Sequence, residues 1–142
     1  MLVITSTTTL VPDNPAAAYA AYRQAASAVF LAGTQGLKYK KDHYDLAVDL
    51  SKAGLTYIDE RADEIVIGAM TPLWQIKISQ AIQNFAGGAI SKAISDVADK
   101  NIQRYGTLGG VISSKAPFSV LLPILLSLHV DVQLQDKGCM SL

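Results

Sequence analysis

The chain has little that would mark it for chemistry of its own. It holds one cysteine, two histidines and one tryptophan in 142 residues, and its net charge is zero, with 12 basic and 12 acidic side chains. A single cysteine, Cys139, excludes an internal disulfide and a cysteine-rich metal cluster. It stands in 136-DKGCMSL-142, where the expectation is a free thiol on a loose tail. A balanced charge with no basic stripe excludes a nucleic-acid partner, because phosphate neutralisation needs clustered Lys and Arg. The longest nearly apolar run, 116-APFSVLLPILLSL-128, is interrupted by Pro123 and is shorter than the roughly 20 residues a spanning helix needs. The start, 1-MLVITSTTTLVPDNP-15, has neither a basic n-region nor a small-residue cleavage site, so no signal peptide and no membrane partner are expected. A cytoplasmic location follows as an expectation, and self-association stays open.

Catalytic side chains are equally sparse. His43, among the charges of 38-KYKKDHYD-45, reads as a surface residue, and His129 as a structural histidine opening a strand. Neither has metal-ligand spacing to a second ligand, and no G-x-S-x-G elbow occurs. No catalytic residue and no metal site are assigned.

What the chain does have is ordered punctuation. Half of its residues are hydrophobic, so a folded globule is expected, with three Phe and one Trp to anchor the core. The β-branched stretch 2-LVITSTTTLV-11 suggests a strand or extended lead-in. Asn14 and Pro15 give a cap followed by a first-turn proline, opening a helix over 15–27. A short apolar strand, 28-AVFL-31, and a second, 46-LAVDL-50, follow in a right-handed β–α–β arrangement. The segment 55-LTYIDERADEIVIGAMT-71 reads as a hairpin turning at Glu60 to Asp63. Thr71-Pro72 opens another helix through Ile78, and residues 80–100 look helical but broken at Gly87-Gly88. A buried helix is expected over 117–128, kinked or broken at Pro123, and then an alternating strand over 129–136.

Two glycine loops stand out. Loop one, 32-AGTQGL-37, follows a strand directly, and loop two is 106-GTLGG-110, with Arg104 just upstream. Glycine loses the most backbone freedom on folding, so three in five residues call for a reason. One reason is an anion cradle, with backbone N–H groups turned toward a phosphate. The other is tight turns. Neither loop is a Walker A motif or a dinucleotide fingerprint.

In their order, four segments resemble the FAD-binding domain of the molybdenum hydroxylases, the family of xanthine dehydrogenase and carbon monoxide dehydrogenase. The segment 32-AGTQGL-37 resembles that family's first loop, 67-IGAMTPL-73 its hairpin end, 102-IQRYGTLGGV-111 its second loop, and 120-VLLPILLSL-128 the following helix. Together they span nearly the whole chain. The resemblance implies an α+β fold of two lobes: a small β-α-β lobe over 1–54 with loop one, and a larger lobe over 55–142 with an antiparallel sheet, helices and loop two. It implies FAD between them, held at Ala32, Gly33, Thr34, Gln35, Gly36, Leu37, Arg104, Gly106, Thr107, Gly109 and Gly110. It also implies partners, a molybdopterin-binding subunit and a [2Fe-2S] subunit, and a role in passing electrons from the iron–sulphur partner to an acceptor. The flavin would carry the redox chemistry, which accounts for the missing acid and base.

The departures from the family pattern fall at ligand-facing positions. Thr34 replaces the second glycine of loop one, and Gln35 and Gly36 stand where Thr and Asp or Ser are usual. Val111 replaces an asparagine after loop two, and Val120 replaces an aspartate before Leu-Leu-Pro. The chain is also expected to lack the family's C-terminal domain. The alternative implied is a cofactor-free relative serving as a structural or docking subunit.

Overall fold

The computed structural model describes residues 5–37, 42–97, 99–116 and 119–142. The first lobe is a three-stranded parallel sheet of β1 (Thr5–Leu10), β2 (Ala28–Leu31) and β3 (His43–Asp49), in the order β1-β3-β2. Helix α1 (Pro15–Gln24) connects β1 to β2, and β3 inserts between them, with Thr5 opposite His43 and Ala28 opposite Leu46. Asn14 caps α1 as its sequence predicts, its side chain accepting from the Ala17 N–H at 2.8 Å. The helix ends at Gln24, with the extended Ala25 as its cap, three residues before the expected end at Ser27. Ala47 and Val48 of the central strand are buried, and β1 is an exposed edge apart from the half-buried Ser6.

The second lobe opens with the hairpin of β4 (Ile58–Glu60) and β5 (Ile65–Ile67). Its turn is closed by Arg61 N–H donating to the Glu64 carbonyl at 2.9 Å, and Arg61 pairs with the Asp59 and Glu64 carboxylates. Helices α2 (Leu73–Ile78), α3 (Gln80–Asn84), α4 (Ala89–Ser95), α5 (Lys100–Tyr105), α6 (Leu108–Ser114) and α7 (Leu121–Ser127) follow, then the hairpin of β6 (Asp131–Leu134) and β7 (Gly138–Ser141). The antiparallel part is thus two separate hairpins. The helical run over 80–100 breaks at Gly87 and Gly88 as expected, with left-handed φ of 64° and 74° that glycine adopts freely; Ala86 shares that region at φ 46° despite its Cβ, and α4 ends at Ser95, short of the expected residue 100.

The core of this lobe is aliphatic. Leu73, Ile76, Ile82, Ile90, Ile94, Leu121 and Leu125 pack together with Ala93. Of the expected aromatic anchors among the described residues, Trp74 and Phe85 are exposed, and Phe30 stacks on Tyr22 with ring centroids 4.4 Å apart; Phe118 lies outside the described residues. Trp74 follows core-facing Leu73 on a helix whose next core residue is Ile76, so its position points outward.

Several local expectations need correction. The helix expected over 117–128 begins only at Leu121, which places Pro123 in the first turn, where its missing N–H has no helical partner to lose; no kink follows. Residues 117 and 118 of that segment, like residues 2–4 of the first strand and 38–41 beside His43, lie outside the described residues. His129 does not begin a strand: it takes φ 51° just past the α7 cap and is exposed, a left-handed turn position normally given to Gly or Asn. Cys139 is not on a loose tail but in β7, paired with Gln133 of β6, and its thiol is free and exposed. Tyr19 of α1 donates to the Asp136 carboxylate at 2.6 Å, joining the first lobe to the turn of this last hairpin.

Candidate functional site

The fold brings the two glycine loops into direct backbone contact. A Cβ on Gly33 would lie 1.8 Å from the Tyr105 carbonyl oxygen and 3.1 Å from the Gly106 Cα. No side chain fits between them, so Gly33 is required by the close approach of the two lobes.

Loop one is a turn in which Thr34 and Gly36 are exposed and the other residues half-buried. Leu37 N–H donates to the Thr34 carbonyl at 3.1 Å, and the Gln35 side-chain amide folds back onto the Gly33 carbonyl at 3.1 Å. The N–H groups of Gly33, Thr34 and Gly36 have no acceptor among the described residues. Thr34 takes φ 55°. That is the position where the resemblance called for glycine, and a β-branched residue held there carries strain of about 1–2 kcal/mol. Around Gly36 there is open space, with no atom within 4 Å of an added Cβ.

Loop two is built differently. Leu108 N–H donates to the Thr71 carbonyl at 3.1 Å, and Gly109 N–H donates to the Ala69 carbonyl at 2.8 Å. Gly110 N–H donates to Thr107 Oγ1 at 3.2 Å, and Val111 N–H to the Thr107 carbonyl at 3.0 Å. In return Leu73 N–H donates to the Gly106 carbonyl at 2.9 Å. The segment 67-IGAMTPL-73 is the frame on which this loop is zipped. Thr71 is itself buried, and its hydroxyl both donates to the Tyr57 carbonyl and accepts from the Tyr57 N–H.

The glycines of loop two answer to packing. A Cβ on Gly106 would meet the Ile102 carbonyl oxygen at 2.5 Å, and one on Gly109 would meet Ala69 at 2.9 Å. Thr107 caps α6, and Leu108, Val111 and Ile112 of that helix pack on the core. Val111, where the resemblance called for asparagine, is therefore a packing residue. Val120 sits at the α7 cap without a side-chain bond, and Ser119 Oγ accepts from the Leu122 N–H at 3.3 Å instead.

Of the expected site residues, the structure joins Gly33 to Gly106 and leaves Gly36 in the open. Arg104 stands in the last turn of α5. Its guanidinium lies 5.7 Å from the Tyr105 ring centroid and borders a hollow shared with Trp74, Lys100 and Gln103. Among the described residues no group of three metal-ligating side chains is found, and no helix is long and apolar enough to cross a membrane.

A small parallel β-α-β lobe butted through a glycine contact onto a helical lobe with two hairpins makes an α+β architecture of two lobes. The chain belongs to the family described as the FAD binding domain in molybdopterin dehydrogenase, whose model matches residues 5–141. It is similar to YgfM of Escherichia coli K12, an uncharacterized protein, at 29% identity over 117 residues, covering 81% of this chain and 44% of that one. It is also similar to the Cu,Mo carbon monoxide dehydrogenase in its cyanide-inactivated form, at 25% identity and TM-score 0.82, covering 99% of this chain and 51% of that chain. Quinoline 2-oxidoreductase of Pseudomonas putida 86, at 18% identity and TM-score 0.80, shares the fold over all of this chain and 50% of its own. The chain thus spans about half the length of the relatives it matches.

Proposed function

We propose that this chain binds FAD as part of a molybdenum-hydroxylase-type oxidoreductase and passes electrons between an iron–sulphur partner and an acceptor in the cytoplasm. The observation that supports it most is the glycine-to-backbone contact of Gly33 with Tyr105 and Gly106, which sets the unengaged amides of loop one beside loop two. Loop one fits a pyrophosphate: the N–H groups of Gly33, Thr34 and Gly36 supply donors, and the open space at Gly36 lets a ligand come close. Ala32, Gln35 and Leu37 shape that turn. Gly106 is the part of loop two that Gly33 meets, and the bonds made by Thr107, Gly109 and Gly110 hold that loop in place. The small lobe over 1–54 and the larger lobe over 55–142 would hold the cofactor between them. When bound, the flavin supplies the one- and two-electron chemistry; the protein's part is to orient it and exclude water. A molybdopterin-binding subunit and a [2Fe-2S] subunit are the partners this role requires.

A second reading has its own support. The N–H groups of residues 108 to 111 are engaged within the protein, and Val111 packs on the core. A cofactor-free relative acting as a docking subunit would need no more than this. Purified protein separates the two readings. A yellow protein, or a colourless one that takes up FAD with saturable heat and quenching of flavin emission, supports the first. A colourless protein that gives neither signal with excess FAD sinks it and leaves the second.

A further inference from the structure

We infer that the hollow between α2 and α5, walled by Trp74, Lys100, Gln103 and Arg104, binds a small aromatic anion of mononucleotide size. The hollow is about 310 Å³, at the small end of the range for ligand pockets, roughly 300–1,000 Å³.

Its wall has three parts that fit one chemistry. Trp74 is 41% exposed and contributes nothing to the aliphatic core, so its indole face is available for stacking. Lys100 and Arg104 stand four residues apart on α5 and share a face, an arrangement that weakens a helix by like-charge repulsion. Neither joins an ion pair among the described residues, where Arg61 makes the recorded ones. The nearest carboxylate in sequence, Asp99, is committed to capping α5 through the Asn101 N–H at 2.8 Å. Gln103 is buried and donates its amide to the Val97 carbonyl, which fixes the back wall. A planar ring on the indole with its anionic group between ammonium and guanidinium satisfies all of these at once. Two cations are too few to track a nucleic-acid backbone. This site does not depend on the flavin reading.

Trp74 is the only tryptophan, so its emission reports the hollow directly. Titration with AMP is expected to quench it saturably, with a Kd on the order of 0.1–1 mM. Adenosine and inorganic phosphate are each expected to bind about tenfold more weakly, since each offers half of the contact. Lys100→Glu and Arg104→Glu, both at exposed positions, are expected to weaken AMP by about tenfold or more while the far-ultraviolet circular dichroism melt stays in place. Gly36→Glu distinguishes this site from loop one: it places a charge in open space, and should lose FAD while leaving AMP binding unchanged. The inference is overturned by absence of quenching, by equal binding of AMP and adenosine, or by loss of AMP binding in Gly36→Glu. FAD uptake without AMP binding overturns this inference alone.

Discussion

In loop one the amides of Gly33, Thr34 and Gly36 meet no acceptor among the described residues, whereas in loop two those of residues 108 to 111 are all bonded within the protein. Both loops are rich in glycine, yet the reasons differ. Loop two spends its glycines on tight packing against Ile102 and Ala69, and its row of hydrogen bonds holds the helical lobe to the β4–β5 hairpin. Loop one uses Gly33 for the junction with loop two, and Gly36 has nothing near it. A glycine cluster alone therefore does not identify a phosphate cradle; the destination of each N–H does.

The comparison breaks most visibly at the shared junction. Gly33→Ala would drive a Cβ to 1.8 Å from the Tyr105 carbonyl oxygen, a backbone atom that cannot rotate away. A loss of about 3 kcal/mol or more is expected in urea unfolding. Gly36→Ala, in open space, should stay within about 0.5 kcal/mol. Similar losses at the two positions would show that the lobes do not meet as described. Next in size is Gly109→Ala, whose Cβ would meet Ala69 at 2.9 Å and strain the 2.8 Å bond from Gly109 N–H to the Ala69 carbonyl. About 1–3 kcal/mol of stability should go. Any fall in FAD affinity should track that loss; lost FAD binding with full stability would instead make loop two a ligand cradle.

How much of this could be read from the sequence follows from where the determining contacts lie. Asn14-Pro15 marked a helix start because capping and proline geometry are local, and the Gly87-Gly88 break was local too; Thr71-Pro72 also precedes a helix, but there Pro72 is itself the cap residue and the Thr71 hydroxyl bonds Tyr57 instead of capping. The alternation in 129-HVDVQLQD-136 gave β6 for the same reason, though the strand covers only Asp131–Leu134. Pro123 was misread because an apolar run does not show where its helix begins. The β7 pairing of Cys139 was missed because 136-DKGCMSL-142 is short and carries no alternation. The burden on loop two was hidden because its partners, Ala69 and Thr71, lie some forty residues earlier in the chain. The outward indole of Trp74 was hidden because aromatic content alone does not assign core positions.

A smaller change sharpens the contrast within loop one. Thr34 is held at φ 55°. Thr34→Gly removes about 1–2 kcal/mol of strain and loses up to about 1 kcal/mol through the greater freedom of the unfolded chain. The net stability gain should lie within about 0–2 kcal/mol, read from the urea midpoint. The same variant frees the approach to the loop-one amides, so FAD affinity should rise. If it falls instead, the Thr34 side chain is itself a ligand contact.

The weakest effect belongs to the other link between the lobes. The hydrogen bond from Tyr19 holds the Asp136 carboxyl below its ordinary range, with Lys137 and Arg23 acting in the same direction, and Asp136 in turn raises the Tyr19 hydroxyl. A depressed carboxylate stabilises the fold above its unfolded pKa, and that contribution fades as pH falls through the folded value. The pair is exposed, so solvent screens it and the contribution is small. Tyr19→Phe should therefore cost a little stability at neutral pH, and its difference from the parent should shrink in acid. The Gly33 junction is a backbone contact without a carboxylate, so the Gly33→Ala deficit should not show that acid dependence. A Tyr19→Phe deficit that held constant from neutral pH to below the carboxylate range would place its origin in packing of the ring and not in the hydrogen bond to Asp136.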